Sequence, residues 1–157
     1  MKVTLEQIRA KSPCHSDFIK MKSITDDPQE KFCVSEIIKS NDAGDTLWVL
    51  QRVCGEKGIS ICREFAIECA LRCLPDFEEK YPDDKMFRTA IEAARMYLGG
   101  EVKRNAVDDL RATYDFYLIV ACTGTFYISA GDDVCKKQNA WQEEKLAQLI
   151  KAAEEKE

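Results

Sequence analysis

Apolar positions recur three and four residues apart over most of this chain, which is the spacing of helix faces and not the alternation of half-buried strands. Start signals punctuate the pattern. Thr4 precedes Leu5 and Ile8 with Gln7 three residues behind it, predicting a capping box. Ser16 precedes a second short set that ends at Met21. The acids and proline of Thr25–Pro28 stand where a first helical turn wants them, ahead of Phe32, Cys33, Ile37 and Ile38. Three short helices are expected in the first forty residues.

Asn41–Asp45 is a turn cluster, and the stripe behind it (Leu47, Trp48, Leu50, Val53, Cys54) is expected to stop at Gly55 and Gly58. The clearest helix follows, with Ile61, Cys62, Phe65, Ala66, Cys69, Ala70 and Cys73 in register. Ile67 and Leu71 lie off that stripe, so this helix is apolar on more than one side. Pro75 should kink it or start a new helix at Asp76. After a loop at Tyr81–Asp84, the residues Met86, Phe87, Ala90, Ile91, Ala94 and Leu98 form a face that Gly99 and Gly100 end. Helical spacing resumes from Ala106 to Leu118, Thr125–Ile128 leaves a short strand open although the context favours helix, and a last helix runs from Asp132 through Trp141, Leu146 and Ile150. The expected fold is all-α, a compact multi-helix bundle of about six to eight helices. No Pro/Gly/Ser linker divides it, so residues 1–157 read as a single domain, in which the first forty or so could form a separate helical cap.

Composition narrows the function classes. Apolar residues at 45% and charged residues at 32% are a globular balance. The net charge of −5, from 28 acids and 23 bases, repels a phosphate backbone. The closest basic pair, Lys103 and Arg104, is followed within about one turn by Asp108 and Asp109. Direct nucleic-acid binding is therefore not expected. An acidic excess suits a basic partner, and it equally suits plain solubility. The N-terminal residues have charges where a leader's apolar core would be, and Phe116–Cys122 is too short to span a bilayer. These features point to a cytoplasmic protein with no membrane association.

Candidate chemistry is sparse. Of eight cysteines, Cys62, Cys69 and Cys73 share one apolar stripe with Phe65, the placement of buried thiols acting as small hydrophobes. Zinc sites bring closely paired cysteines with histidine, whereas this chain holds one histidine, so no metal and no cofactor is expected. Cys14 and His15 are adjacent, but neighbouring side chains seldom face each other and no third group orients the imidazole. The acid pairs Glu78-Glu79, Asp83-Asp84, Asp108-Asp109 and Asp132-Asp133 mostly stand near helix starts, where the macrodipole accounts for them. Gly55–Gly58 and Gly99-Gly100 lack the strand and the lysine of a phosphate loop. No enzymatic constellation assembles, so no catalytic residue is assigned.

One stretch resembles a known family. Cys69-Ala70 leads to Leu74-Pro75 and Phe77-Glu78; a loop with Pro82 and Asp84 follows. Arg88, Ala90-Ile91-Glu92-Ala93-Ala94-Arg95 and Gly100-Glu101 complete the run. This succession resembles the putative immunity protein family of bacterial polymorphic toxin systems, also encoded by phages. Lys136 to Asn139, Trp141-Gln142 and Lys145-Leu146 look like that family's closing helix. Asp108–Gly131 is bulkier than the family's Ala-rich stretch, and the first forty residues match no part of it. The resemblance implies a small acidic inhibitor that binds and neutralises a protein toxin or effector, as an immunity protein or a phage-encoded anti-defence protein aimed at a nuclease effector. The partner-binding residues it suggests are Glu78, Glu79, Asp83 and Asp84, with Arg88, Glu92 and Arg95 at pairing distance along a helix. The competing reading is a helical module that sequesters a small molecule or nucleotide.

Overall fold

Thr4 opens the first helix in the predicted way. Its Oγ1 accepts a hydrogen bond from Gln7 N at 3.2 Å, and Gln7 Oε1 accepts one from Thr4 N at 3.0 Å. The structure, a computed structural model, describes residues 1–100 and 132–155. Among them are seven helices: α1 (Leu5–Arg9), α2 (His15–Met21), α3 (Ser35–Ser40), α4 (Ala43–Val53), α5 (Gly55–Lys80), α6 (Met86–Leu98) and α7 (Asp132–Glu154). The fold is mostly α, as expected. The helical spacing from Ala106 to Leu118, the strand left open at Thr125–Ile128 and the pair Asp108-Asp109 lie outside the described residues.

A small ribbon departs from the sequence reading. Lys2–Val3 (β1) pairs antiparallel with Phe32–Cys33 (β2), with Val3 opposite Phe32. The helix signal at Thr25–Pro28 is used up by a turn. Thr25 Oγ1 accepts from Asp27 N at 3.1 Å, and Asp27 Oδ1 accepts from Gln29 N at 2.9 Å. Pro28 O accepts from Glu6 N at 3.0 Å, so that carbonyl serves the start of α1 and not an amide of its own helix. Short polar side chains that bond their own backbone compete with helix in this way. Only at Ser35 does α3 begin, where Glu36 Oε2 takes the Cys33 amide at 2.7 Å. The second helix also starts earlier than its signal: Cys14 is the N-cap, and Ser16 donates to Asp17 Oδ1 at 3.1 Å without capping the helix.

The described residues fall into two compact units. The first comprises Met1–Cys62 and residues 137–157; the second runs from Arg63 to Lys136, and the boundary at Cys62 lies within α5. In the first unit Val3, Leu5, Ile8, Met21, Val34, Ile37, Val49, Leu50, Leu146 and Ile150 are buried. The Met1 amino group pairs with the Glu154 carboxylate, and Met1 O accepts from Val34 N at 3.1 Å. Asn41, read from sequence as a turn residue, acts as a clasp. Its Nδ2 donates to Asp17 O at 3.0 Å and to Asp45 Oδ2 at 2.8 Å. Asp42 caps α4 by accepting from Asp45 N at 2.9 Å, a contact whose loss costs about 1 kcal/mol in comparable helices.

The two glycines behind α4 have different jobs. Gly55 holds φ +61° in open space and ends α4, as expected. Gly58 does not end a helix; it lies inside α5, where a Cβ would sit 2.0 Å from Leu50 O and 2.7 Å from Cys54 Cβ. Here the missing side chain permits two helices to touch backbone to backbone. In the second unit, α5 continues through Pro75 instead of restarting at Asp76, although proline has no N–H for the Leu71 carbonyl. Leu74 and Phe77, on either side of that proline, are both held by α6, so tertiary packing carries the helix across the weak point.

Gly58→Ala is therefore expected to lower stability by about 3 kcal/mol despite alanine's better helix propensity, because a backbone carbonyl must move. Gly55→Ala should cost only about 1 kcal/mol, the strain of a left-handed alanine. Urea unfolding of the two variants checks the order. Equal losses would remove the close-approach role of Gly58.

Candidate functional site

The second unit places the family-like residues on a helical hairpin. Ile67, Ala70 and Leu74 of α5 are buried against Ile91 of α6, with Leu71, Phe87, Ala94 and Leu98 packed around them. Each fully buried aliphatic chain in such a seam contributes about 1.5–3 kcal/mol. Phe65 and Cys69 are buried as well, on a second stripe roughly 150° around the helix from Ile67–Leu74. The sequence expectation that this helix is apolar on more than one side is met.

Both ends of the hairpin are closed by contacts between the two helices. At one end the Arg63 guanidinium lies 5.5 Å from the Tyr97 ring centroid. At the loop end Phe77 meets Phe87 at 4.9 Å and Tyr81 at 5.1 Å between centroids, both tilted. Beside these rings Arg88 forms a fork on Glu78: Nε donates to Oε1 and one terminal nitrogen to Oε2, each at 2.7 Å. A planar guanidinium on a carboxylate is the geometry in which an exposed ion pair fixes orientation best. The sequence spacing suggested Glu92 as a partner for Arg88, and the structure gives that place to Glu78. The hydrogen bond and charge of Arg88 hold the Glu78 carboxyl below its ordinary value, and the Arg88 guanidinium is raised in turn.

The four suspected partner-binding acids thus have unequal freedom. Glu78 is engaged by Arg88. Asp84 Oδ1 accepts from Met86 N at 2.9 Å and so orders the start of α6. Glu79 and Asp83 are exposed, and their carboxylates make no ion pair or hydrogen bond with another described residue. Lys85 bends back to Pro82 O at 2.7 Å, and the Lys80 ammonium lies 5.4 Å from the Tyr81 centroid. Sequence reasoning missed two apolar side chains at the same end. Tyr81 is 47% exposed and Met86 68%. Met86 belongs by spacing beside Phe87 and Ile91, but as the first helical residue it falls a full step behind the packed line of buried Ile91 and half-buried Phe87, Ala94 and Leu98.

The cysteines divide by environment. Cys62 and Cys69 are buried, Cys33, Cys54 and Cys73 half-buried, and Cys14 exposed; none of these six is in a disulfide. Burial, with the neighbouring Cys54 thiol, pushes the Cys62 thiol up to about 12, and its Sγ donates to Leu47 O at 3.7 Å. Among the described residues no group of three or more His, Cys, Asp or Glu side chains gathers as a metal site. His15 is exposed, and Cys14 Sγ lies 3.3 Å from Ser16 Oγ. Burial alone would push Asp17 up, but hydrogen bonds from Ser16, Cys14 and Lys20 outweigh it and leave the carboxyl below its ordinary value.

Two outcomes follow from these environments. Because Glu78 titrates below its ordinary value of 4.5, its stabilisation exists at neutral pH and is lost as pH falls through its lowered value. Glu78→Gln should therefore be less stable than the parent at pH 7, and the two should converge at an acidic pH well below that lowered value. Urea titrations at the two pH values test this; a difference that persists in acid would assign the loss to packing. In the native chain iodoacetamide should label Cys14 rapidly at about pH 8, and Cys62 and Cys69 only after unfolding, as read by peptide mass spectrometry.

Among the described residues no helix is long and apolar enough to cross a membrane. No curated protein and no solved structure matches the chain. The likeness it does have is partial, and it takes in all of α5 and α6. Residues 54–115 match the family described as Imm-5 like putative immunity protein.

Proposed function

We propose that this chain is an immunity-type inhibitor, a protein that binds a toxin or effector protein one to one and blocks it without catalysis. The observation that carries the reading is the family match over 54–115, which falls on the closed α5–α6 hairpin. A hairpin fastened at both ends offers a rigid surface, and rigidity limits the ordering cost of binding. The net charge of −5 supports a basic target, such as a nuclease effector, and a cytoplasmic encounter with it. Phage-encoded anti-defence is the form this function takes if the target is a host defence component. Glu78, Glu79, Asp83 and Asp84 are the acids on which this proposal centres.

Cross-linking in a bacterial lysate, followed by mass spectrometry and by inhibition of the purified partner, tests the proposal. One protein should be recovered in stoichiometric amount and lose its activity on binding. A small-molecule ligand without any protein partner would overturn the reading. Association should slow as salt rises, since screening shortens to about 8 Å at physiological ionic strength. Glu79→Lys should slow association while leaving unfolding unchanged, whereas Glu78→Lys should also lower stability, because it sets a lysine against Arg88. Stopped-flow measurements across a salt series separate the two.

A further inference from the structure

Four large apolar side chains are exposed among the described residues, and two of them, Tyr81 and Met86, flank the α5–α6 loop. The loop itself is short and held: Tyr81 N donates to Phe77 O at 2.8 Å, Asp84 N to Tyr81 O at 3.1 Å, and Met86 N to Asp84 Oδ1. Tyr81 rests against Phe77, which in turn rests against Phe87. The tip therefore presents an aromatic ring and a thioether from a fixed frame, and the exposed acids of this stretch, Asp76, Glu79, Asp83 and Asp84, outnumber its exposed lysines, Lys80 and Lys85. Tyrosine and methionine are enriched at the centres of protein interfaces, where charged residues are scarce.

We infer that this tip is a protein-docking surface in which Tyr81 and Met86 are the anchors and Glu79 and Asp83 the rim. The occupant it fits is a protein surface with an apolar pocket bordered by lysine or arginine. The inference deepens the proposed function and rests on it for the biological partner, but the site is argued from its own chemistry. Charge selects the occupant. A second copy of this chain would bring the same acids face to face, and like charges oppose that pairing. An RNA or an anionic membrane would meet the acids with phosphates. Glu78 and Arg88 are positioning residues here, since each is occupied by the other and together they hold α5 and α6 at the loop.

The 157-residue chain, labelled with nitrogen-15, is titrated with three helical peptides of about twenty residues. One carries leucine on one face and lysine on the other; the second replaces lysine with glutamate, the third leucine with serine. Only the leucine–lysine peptide should move the amide resonances, and the largest shifts should fall at residues 79–88. Met86→Ala should weaken that binding about fivefold, the loss typical of one anchor side chain. It should leave the thermal midpoint unchanged, because the side chain is largely exposed. Asp83→Lys, a second exposed position, should weaken it and flatten its salt dependence. Shifts centred elsewhere, such as around the exposed Ile19, would overturn the inference, as would equal response to the glutamate peptide or no response to any. None of the probes is a toxin, so failure here is distinguishable from failure to find a neutralised partner. An inhibited toxin whose binding ignores Met86→Ala and Asp83→Lys would keep the immunity reading and remove this surface.

Discussion

Helix α5 has to bury two stripes at once, and much of the structure follows from that constraint. A surface helix satisfies itself with one apolar face. Here Ile67, Ala70 and Leu74 need one partner, and Phe65 and Cys69 a second covered environment. The first need is met by α6, which returns after five loop residues and sets Ile91 into the seam. At its N-terminal end α5 meets a different demand, the approach to Leu50 O that only a glycine at position 58 permits. A helix tied at so many places tolerates a proline in its interior. The missing hydrogen bond at Pro75 costs of the order of 3 kcal/mol in a free helix, but Leu74 and Phe77 are fixed on either side of it.

Polar groups divide into those that build the frame and those left to the solvent. Thr4, Asp42 and Asp84 each take a backbone amide at a helix start. Asn41 joins the backbone of α2 to the carboxylate of Asp45. That carboxylate is raised chiefly by burial and further by Asp42 and Asp17, against the hydrogen bond from Asn41. The first unit therefore accepts an ionised group at some electrostatic cost in order to close the α2–α4 corner. At the loop end of the hairpin the arrangement is cheaper, since Glu78 and Arg88 neutralise each other while staying partly in water.

The helical class, the capping box at Thr4 and the hairpin from Phe65 to Gly100 were legible because periodicity and caps are local properties. The Thr25–Pro28 signal failed for the opposite reason. Its acids had a local alternative in turn hydrogen bonds, and its flanking residues Phe32 and Cys33 found strand partners some thirty positions away, which no window of neighbouring residues records. Gly58 was misread because a stop glycine and a contact glycine look identical until the second helix is in place. The acid pair Glu78-Glu79 shows the same limit at the candidate site. Successive helical residues point about 100° apart, so one faces Arg88 and the other faces solvent. Met86 was counted into the buried face since its position allows it; only the first-turn geometry shows that the face begins at Phe87.

That difference bears on recognition. A rim of solvated carboxylates acts at long range and governs how fast a basic partner arrives, whereas desolvated apolar anchors govern how long it stays. On this hairpin the two kinds of group are carried by different residues: Glu79 and Asp83 hold free charge, and Tyr81 and Met86 hold exposed apolar area. The pair in between, Glu78 with Arg88, carries no free charge of either sign and keeps the loop in one shape. Such separation lets substitutions alter encounter, residence or frame almost independently. On the docking surface proposed above, the anchors can then change while the charged rim and the fold are kept.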